Sequence, residues 1–158
     1  VTSIQFTSGS TGIPKGVLHP NGMWLCDSEL MRTGFGVIPG RRVALCLPIS
    51  FGAGLNVLIG SLINGADIAA IDPRDRAPGT VLDALAESRA EIAFLAPSLL
   101  RALSGAQDAA SHPAWRSLRR IITTGEALTA DVAQAVLAHA PDATVTNWVG
   151  SSETSASS

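Results

Sequence analysis

Near its start the chain reads Ile4-Gln5-Phe6-Thr7-Ser8-Gly9-Ser10-Thr11-Gly12-Ile13-Pro14-Lys15-Gly16. An apolar lead-in passes there into hydroxyl side chains, glycines and one lysine. Glycine lets a backbone N–H turn toward an anion where a Cβ would obstruct it, and hydroxyls add further donors. This composition predicts an anion-binding loop, with Lys15 adding positive charge.

Two other interpretations of this loop are weaker. A flexible Ser/Gly linker needs neither the β-rich lead-in at residues 4–6 nor a Pro-Lys-Gly sequence directly after the last glycine. A Walker A loop requires glycine before its lysine and Ser or Thr after it, whereas those positions hold Pro14 and Gly16. The Walker A loop is therefore excluded.

Composition limits the class of protein. The 158 residues are 46% hydrophobic with a net charge of −2, which favours one globular domain with a real core. No basic excess indicates nucleic acid, no run of about 18 apolar residues indicates a membrane span, and the first residues form no signal peptide. We expect a soluble cytoplasmic protein in which Cys26 and Cys46 are buried thiols without a chemical role, and in which His19 lies at the surface.

Apolar runs and amphipathic segments alternate along the rest of the chain. Strands are predicted at residues 42–47, 67–71, 91–95, 120–123 and 143–146, and helices at residues 23–31, 55–63, 80–89, 97–103 and 129–139, the last capped by Thr129. Steps of about 25 residues predict right-handed crossovers and a parallel sheet. The fold class is therefore α/β, a three-layer, mostly parallel sheet of about five strands flanked by helices, with ligands bound beyond the carboxyl ends of the strands.

Three motifs in order resemble those of the adenylate-forming superfamily, which comprises acyl-CoA synthetases, adenylation domains of nonribosomal peptide synthetases, and luciferases. Residues 7–16 are similar to its signature loop. Residues 125–128, Gly-Glu-Ala-Leu, resemble the turn that lies against the adenine of ATP. Residues 147–154, Asn-Trp-Val-Gly-Ser-Ser-Glu-Thr, resemble the motif whose aromatic residue stacks on adenine, whose hydroxyl touches phosphate and whose glutamate binds magnesium. The resemblance covers nearly the whole chain and implies a Rossmann-like subdomain.

The resemblance implies three groups of nucleotide-site residues. The implied phosphate-binding residues are Thr7, Ser8, Gly9, Ser10, Thr11, Gly12, Lys15 and Ser152. The implied adenine-binding residues are Thr124, Gly125, Glu126, Ala127, Asn147, Trp148, Val149 and Gly150. Glu153 is the implied Mg²⁺ ligand, and a carboxylate suits that ion. Two departures from the motif, Val149 for tyrosine and Ser151 for proline, predict weaker or rearranged nucleotide binding.

Residues 47–55 resemble the segment that lines the acyl pocket, and the resemblance places Phe51, Gly52, Asn56 and Trp148 in that pocket. Family members that activate α-amino acids carry an aspartate directly after this phenylalanine, and here that residue is Gly52. A buried ammonium without a counter-charge is costly. We therefore expect an aryl, short acyl, or hydroxy or keto acid; the alternative is an ammonium anchored elsewhere.

The resemblance implies an ATP-dependent enzyme that forms acyl-AMP and pyrophosphate from a small carboxylic acid. The acyl group then passes to a thiol, that of CoA or of phosphopantetheine on a carrier protein. The implied cofactors are ATP and Mg²⁺. Two alternatives stay open: a catalytically degenerate nucleotide-binding or carrier-recruiting domain, and a ligase whose acceptor is not a pantetheine thiol.

We expect residues 1–158 to be a single α/β subdomain of a larger AMP-binding domain, without the carboxy-terminal lid. In the family, an aspartate that holds the ribose and a lysine of the mobile lid come later in the chain, so no catalytic residue is assigned here. Residues 1–158 alone are predicted to bind ATP weakly and not to turn over. Acyl-AMP formation by this isolated piece, assayed beside the full-length protein, would contradict the prediction.

Overall fold

The computed structural model describes residues 3–7 and 13–150, and within them one sheet of five parallel strands forms the centre of the molecule. Strands β1 and β2 form a separate amino-terminal hairpin, described below. The strands of the sheet are β3 (Arg42–Leu45), β4 (Asp67–Ala70), β5 (Ile92–Leu95), β6 (Arg120–Thr124) and β7 (Thr144–Trp148). Their spatial order is β4-β3-β5-β6-β7, and every neighbouring pair is parallel. The predicted α/β fold with a five-stranded parallel sheet is confirmed.

Helices cover both faces of the sheet. They are α1 (Asn21–Gly34), α2 (Gly52–Ile63), α3 (Pro78–Ser88), α4 (Pro97–Ser104), α5 (Ala114–Ser117) and α6 (Ala130–His139), with a 3₁₀ turn at Ala109–Ser111. Met31 of α1 and Val57 of α2 pack in the core cluster on one face. Buried side chains of α3 to α6 pack in the cluster on the other face. The molecule therefore has three layers, and the direction of winding reverses between β3 and β5.

Strand β5 shows why these sequences become central strands. All four of its residues are buried, and neighbours point to opposite faces, because Phe94 belongs to one core cluster and Leu95 to the other. A strand covered on both faces has no polar alternation. The strand ends at Leu95, and Ala96 is the N-cap of α4. Pro97 occupies the first turn of that helix as predicted, where its missing N–H breaks no helical hydrogen bond.

The amino-terminal segment differs from the prediction. Strand β1 (Ser3–Thr7) pairs antiparallel with β2 (Lys15–His19), so that Thr7 stands opposite Lys15, and this hairpin is separate from the five-stranded sheet. The sequence analysis identified the first strand and missed the second, since a run containing Lys15, Gly16 and His19 lacks a strong apolar alternation. The predicted anion-binding loop lies in sequence between the two strands of the hairpin.

Two local predictions were wrong, and a third, the cap at Thr129, was right in position only. Cys26 is exposed on α1. His19 is buried, and its ring meets Trp24 edge-on at 5.6 Å between centroids. Thr129 stands at the N-cap of α6 without a capping side-chain bond, because its Oγ1 accepts a hydrogen bond of 2.9 Å from Arg101 Nη2.

Cys46 is buried as predicted, and burial raises the pKa of its thiol to about 12.

Within residues 3–7 and 13–150, no helix combines the length and apolar character needed to cross a bilayer.

Gly54 is predicted to be indispensable for seating α2. A Cβ at this position would overlap the carbonyl oxygen of Pro48, and a backbone atom cannot move aside as a flexible side chain can. Overpacking of this kind costs about 1–3 kcal/mol, so Gly54→Ala should lower the Tm clearly in thermal unfolding. Gly79 of α3 is the matched control, because a Cβ there would meet no atom within 4 Å. Equal Tm values for the two variants would contradict the prediction.

Candidate functional site

Segments leaving the carboxyl ends of the parallel strands meet at one edge of the sheet. The segment after β3 supplies Phe51, which is the N-cap of α2, and the turn after β6 supplies Gly125. A Cβ built on Gly125 would lie 3.4 Å from Phe51 Cε1, an ordinary van der Waals distance, so the two residues are neighbours. Glycine suits the position because its φ is +89°. The predicted acyl-pocket segment therefore contacts the predicted adenine turn.

Thr123 orients Asn147 across this edge. The two residues are paired in register between β6 and β7, and Thr123 Oγ1 donates a hydrogen bond of 2.9 Å to Asn147 Oδ1. Because the amide oxygen is engaged by a fully buried hydroxyl, the exposed Asn147 presents its Nδ2 outward. Thr123 was not among the predicted site residues; a hydroxyl inside the apolar strand beside Thr124 was the available signal.

Glu126 connects two strand ends. Its carboxylate accepts hydrogen bonds from the backbone N of Ser98 at 3.0 Å and from Ser98 Oγ at 2.9 Å. Ser98 lies in the first turn of α4, where unpaired backbone N–H groups and the helix dipole favour an anion. The side chain of Glu126 is therefore engaged in holding the turn in place. Gly125 and Ala127 on either side of it are exposed, as are Asn147, Val149 and Gly150 of the predicted adenine site.

Trp148 ends β7 on the face covered by α1 and α2. Its ring packs edge-on against Phe35 at 5.7 Å and Phe94 at 6.4 Å between centroids, and it belongs with Ala53 to the partly buried rim of that core cluster. The next residue, Val149, is 73% exposed. The indole thus packs within the aromatic cluster on this face of the sheet, and an exposed aliphatic side chain follows it at position 149.

Asn56 is the buried polar residue of the predicted pocket. It lies one turn after Ala53 in α2, and its Nδ2 donates a hydrogen bond of 2.6 Å to Oδ2 of Asp27, which is buried on α1. Asn56 Oδ1 and Trp148 Nε1 are buried without a hydrogen-bond partner among the described residues. Sequence reasoning missed Asp27; the signal was a carboxylate three residues after Trp24, on the buried side of an otherwise apolar turn.

Much of the predicted phosphate and metal site lies outside the described residues: Ser8, Gly9, Ser10, Thr11, Gly12, Ser152 and Glu153. For Thr7 only the backbone is described, at the end of β1, and Lys15 is exposed at the start of β2. Within the described residues, 3–7 and 13–150, no three or more His, Cys, Asp or Glu side chains cluster in a way suited to a metal ion.

Two cavities lie away from these residues. One of about 240 Å³ is mainly apolar and lies beyond the ends of β3 and β4, beside Pro48 and Arg74. The other, of about 540 Å³, lies at the amino ends of the strands and is lined by Arg41, Arg119 and Arg120. Neither is lined by Phe51, Gly52, Asn56 or Trp148, although the first includes Leu47, Pro48 and Ile49 of the predicted acyl-pocket segment. The candidate site is therefore defined by the convergence of strand ends.

Comparison with known proteins connects the chain with one family. The family described as "AMP-binding enzyme" matches residues 1–158. A feruloyl-CoA synthase of an Amycolatopsis species is 32% identical over 87% of this chain and 28% of its own length. The 3-hydroxybenzoate/4-hydroxybenzoate CoA ligase of Thauera aromatica is 33% identical over 94% of this chain and 28% of its own. The chain thus spans little more than a quarter of these relatives.

A solved structure agrees in fold. The amide bond synthetase McbA from Marinactinospora thermotolerans superposes with a TM-score of 0.83 at 26% identity, over 96% of this chain and 30% of that one.

Thr123→Val is predicted to weaken ATP binding by the full-length protein. Valine preserves the buried shape and removes the hydrogen bond that orients Asn147, and one such bond is worth about 0.5–1.5 kcal/mol, or about 2- to 12-fold in affinity. Titration calorimetry with ATP would measure the change. Thr146→Val, at an exposed position of the same strand pair, is the control and should bind as wild type. Equal affinity of both variants would refute the orienting role.

Proposed function

Because the chain belongs to the AMP-binding enzyme family, we propose that it is part of an ATP-dependent ligase that activates a carboxylic acid as acyl-AMP and releases pyrophosphate. The observation that carries the proposal is that Phe51 lies beside Gly125, so that the predicted acid-binding segment adjoins the predicted nucleotide-binding turn at the strand ends. Such a site brings the two reactants of adenylation together. Holding them in a reactive orientation is a large part of catalysis for a two-substrate reaction.

The nucleotide would be held from three directions. Residues 7–12 and Lys15 would surround the outer phosphates, the backbone at residues 125–127 would lie against the adenine, and Asn147 would offer its Nδ2 to the base. Glu153 would supply a carboxylate for Mg²⁺, an ion commonly held by one or two carboxylates together with phosphate oxygens.

In the proposed reaction a carboxylate oxygen of the substrate bonds to the α-phosphorus of ATP, and the bond from that phosphorus to the bridging oxygen of pyrophosphate breaks. The pyrophosphate leaves with its electron pair, so no protein nucleophile is needed. Acceleration would come from positioning and from neutralising phosphate charge.

The substrate is proposed to lack an α-ammonium group. Gly52 provides no carboxylate at the start of α2, where amino-acid-activating relatives carry aspartate. The names of the feruloyl-CoA and hydroxybenzoate relatives, whose acids have no α-amino group, support the same class. Those names also favour the CoA thiol as acceptor; a carrier thiol is the variant suggested by the phosphinothricin tripeptide synthetase PhsB, 31% identical over 94% of this chain.

A second candidate differs in the acceptor alone. The name of the amide bond synthetase indicates an enzyme that joins an acid to an amine, and its fold matches this chain closely. Adenylation would then be followed by attack of an amine nitrogen on the acyl-AMP carbonyl, with AMP leaving. Adding CoA or an amine to preformed acyl-AMP on the full-length protein, and identifying the product, would separate the two.

Pyrophosphate exchange by the full-length protein tests the first half-reaction. We expect Mg²⁺-dependent exchange stimulated by aryl or short acyl acids and only weakly by α-amino acids, because Gly52 supplies no counter-charge for an ammonium. Glu153→Gln is expected to lower the rate at limiting Mg²⁺. Stimulation by α-amino acids alone would refute the substrate class. No exchange with any acid, together with measurable ATP binding, would indicate the degenerate nucleotide-binding alternative.

A further inference from the structure

We propose that the cavity at the amino ends of the parallel strands binds a small organic anion, in which a carboxylate or phosphate group is joined to an apolar body. This edge of the sheet is opposite to the carboxyl ends, where the nucleotide and the acid are proposed to bind. The inference therefore goes beyond the proposed function and does not depend on it. It is carried by a cavity of about 540 Å³ whose wall contains three arginines and two isoleucines.

The sheet brings the three arginines together. Arg41 directly precedes β3, Arg119 and Arg120 stand at the start of β6, and Glu91 directly precedes β5, the strand between them. The backbone N of Glu91 donates to the oxygen of Arg42 at 2.9 Å, and the backbone N of Arg119 donates to the oxygen of Glu91 at 2.8 Å. These bonds tie the starts of neighbouring strands in a row, so the backbone positions of the arginines are fixed without a ligand.

Arg120 is held in place by the end of α1. Its Nη1 donates a hydrogen bond of 3.0 Å to the backbone oxygen of Gly34, the last residue of that helix, where the helix dipole favours a cation. Gly36 leaves room for the side chain, because a Cβ there would lie 3.3 Å from Arg120 Nε. A guanidinium has five N–H donors, and this bond uses one of them. The guanidinium is therefore positioned and still has donors for a ligand.

The positive charge of the cavity exceeds the charge of its own carboxylate. Glu91 is the acidic residue of the lining, and it forms an ion pair with Arg41. Arg119 Nη1 lies 3.9 Å from Oδ2 of Asp142, whose side chain is 81% exposed, and exposed pairs of this kind contribute little. Arg119 and Arg120 thus remain to bind an anion. The guanidinium fork matches the paired oxygens of a carboxylate or a phosphate.

Part of the cavity wall is apolar. Ile92 is the buried first residue of β5, and Ile38 is partly exposed in the segment before β3; both line the cavity. An apolar body would cover this surface, whereas inorganic phosphate would leave it to water. Pockets for small molecules commonly have volumes of about 300–1,000 Å³, and this cavity lies within that range. The lining therefore favours a small organic anion over a bare ion or a long acidic peptide.

The competing explanation is a solvated basic surface whose arginines only brace the segments around them. Arg32 of α1 provides a matched control for it. Its side chain is also exposed, and its Nε donates to the carboxylate of Glu29 at 2.8 Å. Arg32 does not line the cavity. Arg32→Gln therefore removes one surface cation and leaves the cavity unchanged.

The test is titration calorimetry on the full-length protein, with the nucleotide site first filled by a non-hydrolysable ATP analogue. Phenyl phosphate is the probe, and inorganic phosphate, benzyl alcohol and a glutamate octapeptide are the comparisons. Phenyl phosphate should bind at one site and more tightly than each of the three. Arg120→Gln should weaken that binding by about 10-fold or more, as the loss of a charge-assisted hydrogen bond predicts. Arg32→Gln should bind phenyl phosphate as wild type does.

If Arg120→Gln fails to fold, Arg119→Gln is the second variant and should weaken binding by a similar factor. Arg119 bonds only to backbone oxygens of its own segment, those of Arg116 and Leu118, so its removal disturbs the fold less.

Three results would overturn the inference: no binding of phenyl phosphate, equal affinity of wild type and the arginine variants at the cavity, or equally tight binding of benzyl alcohol. Tighter binding of the octapeptide would also overturn it, since the cavity would then suit an acidic protein segment. If the ATP analogue itself does not bind, the proposed function fails instead. The difference in phenyl phosphate affinity between wild type and Arg120→Gln then still tests the cavity.

Discussion

A parallel sheet must be covered on both faces, and most features of this molecule follow from that requirement. Ile121 and Ile122 are neighbours in β6, yet they belong to different core clusters. Each connection between strands therefore carries a helix that buries one of the two faces. Strand β3 lies between β4 and β5, so the first crossover helix lies on one face of the sheet and the later ones on the other. The connections that leave β3 and β5 therefore turn to opposite faces, which leaves a gap between them at the edge of the sheet. Polar loops can enter there without uncovering the core.

The layer formed by α1 and α2 is packed more tightly than its sequence suggests. A Cβ on Gly60 would overlap Sδ of Met31, so the two helices approach where the glycine leaves room. Polar bonds accompany this contact: Asn56 to Asp27 in the interior and Asn64 to Ser28 nearer the end of α2. Burying a carboxylate is expensive unless hydrogen bonds compensate. Its presence beside a predicted substrate pocket is therefore more informative than an ordinary surface bridge.

Side-chain hydrogen bonds between separate segments hold the edge of the sheet at which the parallel strands end. Glu126 joins the turn after β6 to the start of α4, and Thr123 joins β6 to the last part of β7. Both bonds join groups of the protein itself, so the edge is held in this arrangement by the protein alone. Pre-arranged donors avoid the free-energy cost of reorganisation during a reaction. A site of this kind suits a reaction that depends on placing an acid beside a phosphate.

The alternation of apolar runs and amphipathic segments along the chain was enough to identify the five parallel strands. A strand buried on both faces must be apolar throughout, and amphipathic helices separate such strands at regular intervals in the sequence. The anion-binding composition of residues 7–16 and the missing carboxylate at Gly52 are likewise properties of short segments. Pairings between distant segments were not accessible in this way. The strand at Lys15–His19 is stabilised by its partner Ser3–Thr7, and the burial of His19 depends on Trp24. Asp27 meets Asn56 across 29 residues, and Thr123 meets Asn147 across 24. Such contacts depend on which helix faces and strand ends are opposed, and only the order of the sheet and the packing of α1 on α2 determine that.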